Sequence, residues 1–525
     1  MGIYLNPGNE LFQKTIHSEI YIDKTMLLKH TNELLGTREN FLAVSRPRRF
    51  GKTTALDMLN AYYGRANDSR DLFLPYQIAK ESSFGKYLNQ FDVIQLNVRN
   101  LITESENMRE LISYLENDVK AELKEAFPDI PLQEKRSLAY CLERIYASTK
   151  VPFVFLIDEW DAVFRVNALK NNLEEQAKYL DFLRNLLKDR AYVALAYMTG
   201  ILPIKKYGEH SALNMFVEYS MTNQGELSEF TGFTEGEVRD LCEKYEMSYS
   251  EMKRWYDGYQ LTKLSVYNPR SVVMAMTRHT YDSYWTKTET YEALKVYIEM
   301  NMDGLRDAIV ELMAGNKVEI DTNSFLNDMV TFSTKDDVLT LLIHLGYLTY
   351  DFRTGEVWIP NQEIMGEFAT TLKILGWSEV AEALRKSNEL LRATLQKDSE
   401  QVAKMLEDIH QSETSIMAYN DENALASVIS IAYYMARRDY DLVRELPSGK
   451  GFADVCFLPK KSSSNPAMIV ELKVDQGAEA AIAQIKERNY VEGLRSYQGK
   501  VLLVGISYDR KSKRHSCQIE EIEKR

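Results

Sequence analysis

Gly51, Lys52 and Thr53 stand together in 45-SRPRRFGKTT-54, directly after the short apolar run 41-FLAV-44. A strand, a glycine-bearing loop and a helix in that order make a phosphate cradle. The glycine lets the backbone approach, the lysine ammonium reaches the β and γ oxygens, and the threonine hydroxyl can ligate Mg²⁺. The free N–H groups of the opening helix face the anion. Arg46 stands where the usual Walker A loop has its first glycine. Further on, 151-VPFVFLIDEWD-161 is an apolar strand ending in Asp158 and Glu159. An aspartate at that place would hold Mg²⁺ through water, and the glutamate would orient or deprotonate an attacking water. Thr199, closing the next apolar run in 197-YMTG-200, is placed to sense a γ-phosphate.

A second set lies near the C-terminus, where 451-GFADVCFLPKKSSSNPAMIVELKV-474 reads as a hairpin around the turn-like 461-KSSSNP-466. Asp454 and Glu471 are equidistant from the middle of that turn. A regular hairpin sets them opposite each other with Cβ atoms about 5 Å apart, and puts Lys473 on the face of Glu471. Two facing carboxylates repel unless a cation lies between them, and hard oxygen ligands suit Mg²⁺ or Mn²⁺. Such a cation activates water and neutralises charge building on a phosphodiester, with Lys473 holding the water or the leaving-side charge. Glu-x-Lys recurs at Glu122/Lys124 and Glu251/Lys253, but in helical pattern. Only 470-VELKV-474 sits in a strand with an aspartate in register.

These residues need elements to hold them. Buried strands are expected at Phe41–Val44, Phe91–Val98, Phe153–Ile157 and Tyr192–Met198, with helical segments such as Met108–Phe127 and Leu173–Leu187 between them. That alternation indicates an α/β fold with a parallel sheet covered on both faces. From about Leu261 the chain turns mostly helical. At 336-DDVLTLLIHLGYLTYDFRTGEVWIPN-361 a helix leads into two short strands around Arg353-Thr354-Gly355, a winged-helix pattern. It carries no excess of Lys or Arg, so a spacer or regulatory lid is favoured over a DNA-binding wing. A third segment from near Gln401 holds the uncharged helix 423–436, the hairpin, a helix at 483-AQIKERNY-490 and a last strand at 500-KVLLVGISY-508, together a small mixed sheet.

The chain has 525 residues, too many for one ordinary core, so two to four domains are expected. Lys plus Arg number 64 against 77 Asp plus Glu, a net charge of −13. The surface as a whole therefore offers no general attraction for polyanions, and any nucleic-acid contact must be local. Cys141, Cys242, Cys456 and Cys517 lie far apart, and the histidines make no zinc spacing. Neither a disulfide frame nor a structural metal is supported, and a reducing cytoplasm is the expected compartment. The N-terminal MGIYLNPGNE lacks a signal pattern, with Asn6 where a myristoylation signal wants Ser or Thr. The longest uncharged helical stretch, Asn423 to Ala436, is short for a membrane span.

The runs 21-YIDKT-25, 45-SRPRRFGKTT-54, 158-DEWD-161, 199-TG-200, 256-YDGY-259 and 267-YNP-269 together resemble the bacterial AAA-ATPase-like family, whose own form of the loop has arginine where Arg46 stands. The resemblance implies ATP and Mg²⁺ as ligands, with Arg49, Phe50, Gly51, Lys52, Thr53, Thr54, Asp158 and Thr199 around the nucleotide and Glu159 catalytic. Members often carry a C-terminal PD-(D/E)XK nuclease-like domain, which the Asp454, Glu471 and Lys473 set resembles, with Mg²⁺ or Mn²⁺ implied on Asp454 and Glu471. Glu422 matches that superfamily's upstream acid, and Gln484 and Lys486 are implied accessories. Arg488 holds the place of the tyrosine in the Gln-x-x-x-Tyr form of related nucleases.

The expected division is a P-loop ATPase domain at 1–260, a helical and winged-helix-like module at 261–400, and a mixed α/β restriction-endonuclease-like domain at 401–525. The function implied is ATP-controlled, metal-dependent cleavage of nucleic acid, DNA before RNA. The alternative is a nucleotide-dependent regulatory or scaffold protein whose nuclease-like domain only binds. Lys460, Lys461, Lys486, Arg488 and the tail Arg510–Arg514 are the expected local DNA contacts. The resemblance to such an ATPase implies a homo-oligomer supplying an arginine finger, and no membrane partner is expected.

Overall fold

In a computed structural model, the chain is described except for residues 1, 106, 134, 166–171, 205–212, 224, 262–263, 286–290, 301, 303, 314–315, 327–331, 376–377, 414–428, 430–431, 434–435, 437–438, 449–450, 461–462, 464, 495–496 and 525. It forms two compact units, residues 1–304 with 319–367 and residues 305–318 with 368–525. The expected boundaries at 260 and 400 do not coincide with this division: the first falls in the strand Tyr259–Leu261 and the second in the helix Ser399–Glu413. The segment 336–361 lies in the same unit as the phosphate loop.

The first unit is built on five parallel strands, β1 (Phe41–Ser45), β2 (Asp92–Asn97), β3 (Phe153–Asp158), β4 (Val193–Gly200) and β5 (Val217–Tyr219), in the order β2-β3-β4-β1-β5. Every residue of β3 and β4 is buried. Strands covered on both faces read as unbroken apolar runs, which is why these were visible in the sequence. Because β4 lies between β1 and β3, the carboxyl ends carrying the loop, Asp158 and Thr199 converge, with Val44 beside Thr199 and Ile157 beside Met198. Ligands of open parallel sheets bind at that end.

Helix Met108–Ala126 buries Met108, Leu111, Leu115, Val119 and Leu123, a stripe at helical spacing, and Asn107 caps its start. Phe127 is its C-cap. Glu122 on this helix accepts hydrogen bonds from the amides of Ile3, Tyr4 and Leu5 at 2.6 to 3.0 Å. Residues 4–6 thereby lie along β2, with Asn6 N–H donating to Val93 at 2.7 Å and Gln95 N–H to Tyr4 at 2.9 Å. They cover backbone groups that an edge strand would otherwise expose.

The expected helix and hairpin at 336–361 are present as helix Lys335–Leu345 followed by antiparallel strands Thr349–Asp351 and Glu356–Trp358. The helix starts in a capping box of Thr334 and Asp337 and ends at Gly346, whose φ is +89°. A side chain at Gly346 would meet Pro47 of the phosphate loop at 2.8 Å. His344 on this helix is fully buried against the ring of Phe325. Burial, and then the charge of Arg46, hold its imidazole down at about 3. A histidine depressed in the folded state takes up protons more readily when unfolded. Its share of stability is therefore complete above the unfolded value of about 6.5 and is lost as pH falls toward 3, on the order of 5 kcal/mol in all. Urea midpoints measured from pH 7 down should fall steeply, and His344→Phe, ring for ring, should flatten part of that slope.

In the second unit five strands form a mixed sheet in the order Tyr440–Ser448, Gly451–Pro459, Ala467–Val474, Gly499–Asp509, Arg514–Lys524. Only Ala467–Val474 and Gly499–Asp509 run parallel, and the helix Ala478–Glu487 lies between them in sequence. Side chains alternate along Ala467–Val474: Met468, Val470 and Leu472 enter a core with Leu390, Val402 and Leu406, whereas Ile469 joins Ile482 and Ile485 on the other face. Glu471 and Lys473 share the face of Ile469. The sheet does not end at residue 508, and 510–514 is not a tail: 510–513 turn into the edge strand Arg514–Lys524. Of the expected helix 423–436, only residues 429, 432, 433 and 436 are described, and Ile429, Ala432, Tyr433 and Ala436 lie in the first of these cores.

Candidate nucleotide and nuclease sites

At the carboxyl end of β1 the chain turns through Arg49 (φ +69°) and Gly51 (φ +84°) into helix Lys52–Tyr63. Arg46, in the place of the usual glycine, points into the protein. Its guanidinium is fully buried and donates to Ser45 O at 2.9 Å, Tyr219 O at 3.1 Å and Thr231 Oγ1 at 3.1 Å. Phe50 is buried too, its ring edge-on to Tyr259 at 5.1 Å, so it anchors the loop. The Lys52 ammonium donates to the carbonyls of Arg46 and Pro47 at 3.0 and 2.8 Å. Burial pushes it down to about 8, against the pull of Asp158.

Asp158 is the hub of the site. One carboxylate oxygen accepts from Thr53 Oγ1 at 2.8 Å, the other from Thr199 Oγ1 at 2.6 Å and from Glu159 N–H at 3.0 Å. The threonine and aspartate expected to share a Mg²⁺ are thus adjacent. Thr199 differs from expectation: it is fully buried with its hydroxyl turned to Asp158, so it orients that carboxylate and does not face the cavity. Glu159 (φ +49°) accepts from Arg165 Nη2 at 2.9 Å. Arg165 Nε also donates to Asp161 at 2.9 Å, and Asp161 takes the amides of Ile201 and Leu202 at 3.0 and 2.8 Å. The turn after β3 is thereby pinned to the end of β4. Arg165 was not singled out in the sequence, although it stands four residues after Asp161 of the 158-DEWD-161 run, the spacing of an ion pair on a helical turn.

A cavity of about 700 Å³ opens here. Arg48 to Thr54, Arg99, Asp158 and Glu159 line one end, and Ile20, Tyr21, Ile22, Phe233 and Val273 the other. Size, a cationic end and an apolar end suit a nucleotide. Of the other quoted runs, Tyr21, Ile22, Lys24 and Pro269 line the cavity. Lys24 donates to Glu237 at 2.6 Å, and Asn268 caps helix Pro269–Arg278. Gly258 (φ +104°) has Pro360 O at 2.2 Å from where a Cβ would be, so Gly258→Ala should cost several kcal/mol, read as a lowered melting temperature.

In the second unit the pairing Val455–Val470, Cys456–Ile469 and Phe457–Met468 extends one step to set Asp454 opposite Glu471. Asp454 Oδ2 accepts from Leu472 N–H at 2.8 Å. Glu471 is 1 % exposed; its Oε1 accepts from Lys473 Nζ at 3.3 Å and from the Gln484 amide, while its Oε2 is buried without a partner among the described residues. Burial, then Asp454, push Glu471 up to about 7 in spite of Lys473. Two oxygen donors and an orphaned buried oxygen fit a hard divalent cation. Among the described residues no group of three or more His, Cys, Asp or Glu could hold a metal, and Glu422 lies outside them. Gln484 also donates to Tyr490 Oη at 3.2 Å, a residue the sequence reading passed over because it is two positions beyond the expected tyrosine. Lys486 is not at the site: its ammonium pairs with Glu520 at 2.6 Å. Arg510 pairs with Asp475 at 2.6 Å, and Lys461 lies outside the described residues.

Residues 8–208 match the model of the predicted AAA-ATPase family and residues 420–517 that of the PD-(D/E)XK nuclease superfamily. The chain is 23 % identical over 524 residues to an uncharacterised protein in the vnfD 5′ region of Azotobacter chroococcum, covering 94 % of this chain and 93 % of that one. Among solved structures it is similar to the Walker-type ATPase of Pyrococcus abyssi, at 12 % identity and a TM-score of 0.35, covering 66 % of this chain and 94 % of that one. It is similar also to the ORC2 protein of Aeropyrum pernix, at 10 % identity and a TM-score of 0.32, covering 68 % and 97 %. Loop, acidic strand end and parallel sheet on one side, and facing carboxylates on a mixed sheet on the other, agree with the two family matches: the chain carries an AAA-ATPase-like domain followed by a PD-(D/E)XK nuclease-superfamily domain.

Proposed function

We propose that the chain binds and hydrolyses ATP and that this cycle controls a metal-dependent nuclease cleaving phosphodiester bonds in DNA. The observation that carries the nuclease half is the buried Oε2 of Glu471, unpartnered among the described residues and beside a second carboxylate. The ATPase half rests on Lys52, Thr53 and Asp158 gathered at the cationic end of the cavity.

Lys52 would leave the loop carbonyls for the β and γ oxygens, whose charge favours its ammonium form. Thr53 and Asp158 would hold Mg²⁺ with the triphosphate, Thr199 keeping Asp158 turned to the task. Mg²⁺, when bound, neutralises charge on the phosphates. Glu159 would orient or deprotonate the attacking water, with Arg165 fixing its carboxylate. Glu159→Gln should therefore keep ATP affinity and lower turnover by on the order of a hundredfold or more, measured as phosphate release.

In the other unit Asp454 and Glu471 would hold Mg²⁺ or Mn²⁺, which when bound supplies an activated water. Gln484 and Lys473 fix one Glu471 oxygen and leave the other for the cation. The Lys473 ammonium would steady charge on the phosphodiester. Lys460, Arg488 and the 510–513 turn are the proposed local contacts to DNA in an otherwise acidic chain. Among the described residues no helix is long and apolar enough to cross a membrane, and a cytoplasmic site of action is part of the proposal. So is a homo-oligomer: turnover rising more steeply than protein concentration would support it, and strictly linear turnover would remove it.

The test is incubation of pure protein with plasmid, single-stranded DNA and RNA, with and without ATP and with Mg²⁺ or Mn²⁺. ATP-dependent cutting of DNA is expected. No cutting under any condition would sink the nuclease half and leave a nucleotide-dependent scaffold.

A further inference from the structure

Glu363 is a buried carboxylate outside the lining of the nucleotide cavity. It lies in the first turn of helix Gln362–Ile374 and is 1 % exposed. Its Oε1 accepts from the amides of Tyr284 and Trp285 at 2.6 and 2.8 Å, and Ser271 Oγ reaches its two oxygens at 3.0 and 2.8 Å. None of these donors carries a charge, so among the described residues the carboxylate's cost of burial is met by neutral hydrogen bonds.

Both sides of the arrangement lead to the nucleotide cavity. Ser271 belongs to helix Pro269–Arg278, whose Pro269, Arg270 and Val273 line it. Trp285 packs on Tyr347 with ring centroids 5.1 Å apart, and its ring lies with Pro47 beside Gly346, where a Cβ would meet Pro47 at 2.8 Å and Trp285 at 3.3 Å. Pro47 is the residue whose carbonyl holds Lys52 at 2.8 Å. One carboxylate thus ties the wall helix on one side and, through Trp285 and Gly346, the phosphate loop on the other.

We propose that Glu363 is a positioning residue for the nucleotide site: as a carboxylate it holds the wall helix and the phosphate loop in the mutual placement that binds the nucleotide. The inference rests on the reading of that cavity as an ATP site. Ionised, Glu363 gives every one of these bonds charge assistance; protonated, one oxygen becomes a donor and the rest weaken. Burial, opposed by the bonds from Trp285, Tyr284 and Ser271 and aided by Glu367 one turn on, pushes this carboxyl up to about 7, where the change falls near neutrality. The other titratable groups that feel its charge are Tyr256, at the end of helix Tyr249–Tyr256, and Tyr259 on its strand; burial raises both phenols, so they stay neutral through the window.

The experiment is calorimetric titration of the full chain with ATP and Mg²⁺ from about pH 6 to about pH 8.5, for wild type, Glu363→Gln and Ser271→Ala. Wild-type affinity should fall on the order of tenfold as pH drops through about 7. ATP and Lys52 also titrate near this range, so the inference lives in the difference between proteins. Glu363→Gln keeps shape and bonding but has no proton to gain, and should lose that step. Ser271→Ala should bind several-fold more weakly at the alkaline end with a smaller step. Urea midpoints separate this from mere loss of fold. A carboxyl raised in the folded state costs stability increasingly as pH rises from about 4.5 to about 7, so Glu363→Gln should be at least as stable as wild type at pH 8. Identical pH profiles in wild type and Glu363→Gln would overturn the proposal. Absence of binding by wild type at every pH would instead refute the nucleotide reading on which it stands.

Discussion

Lys52→Ala should reduce ATP turnover by at least on the order of a hundredfold without harming the fold. In the cavity this ammonium is the cation that can move from the carbonyls of Arg46 and Pro47 onto the phosphates. Removing it deletes charge-assisted contacts that strengthen as negative charge shifts in the transition state. Burial depresses Lys52 to about 8, so its charged form costs stability, most of it at pH values below 8 and progressively less as pH rises toward the unfolded value. Without nucleotide the variant should therefore melt no lower than wild type at neutral pH. Lys52→Met, which keeps the volume, guards against collapse of the loop. With Mg²⁺ and ATP the wild type should gain thermal stability by mass action, about 2.7 kcal/mol at a hundredfold excess over Kd, and both variants should gain little. Normal turnover in Lys52→Ala would refute the loop assignment.

Asp454→Asn and Glu471→Gln should each eliminate cleavage and, more diagnostically, abolish the stabilisation conferred by Mn²⁺ or Mg²⁺. The two carboxylates face each other across adjacent strands, and Asp454 is part of what pushes Glu471 up to about 7. Neutralising either relieves that repulsion, while the amide oxygen that Asp454→Asn introduces could still accept from Leu472 N–H. The variants should then be at least as stable as wild type in chelator, yet indifferent to added metal. Lys473→Ala should part company with them, because an ammonium is not a ligand. It should keep or strengthen the metal-linked shift in melting temperature and still lose most cleavage. A wild type with no metal-linked shift and no cutting would remove the nuclease reading.

Much of this placement could be read from the chain because the physics involved is local. Buried parallel strands are continuous apolar runs, so β1, β3 and β4 announced themselves within two residues. The register of Asp454 with Glu471 follows from equal distances to a turn. Other features required knowledge of what lies alongside. Thr199 looked free for a phosphate because nothing in the sequence says that Asp158 takes its proton. Gln484 and Lys486 are two apart on a helix, so they face different sides, and the structure sends one to Glu471 and the other to Glu520. The strands Tyr440–Ser448 and Arg514–Lys524 lie at the edges of their sheet, where charged residues such as Glu520 and Lys524 break the apolar signature.

Arg46 bears on how this loop can drift in evolution. Its guanidinium fills core volume and serves the oxygens of Ser45, Tyr219 and Thr231. An Arg46→Gly change would make the loop look more orthodox to a pattern search. It would also open a void the size of a long side chain and strand those acceptors in the interior. Descendants of this sequence can therefore reach the common glycine form only through compensating changes at the packing partners, a valley that single substitutions do not cross. The arginine is a lock on lineage, and loops of this kind should be sought by their own consensus.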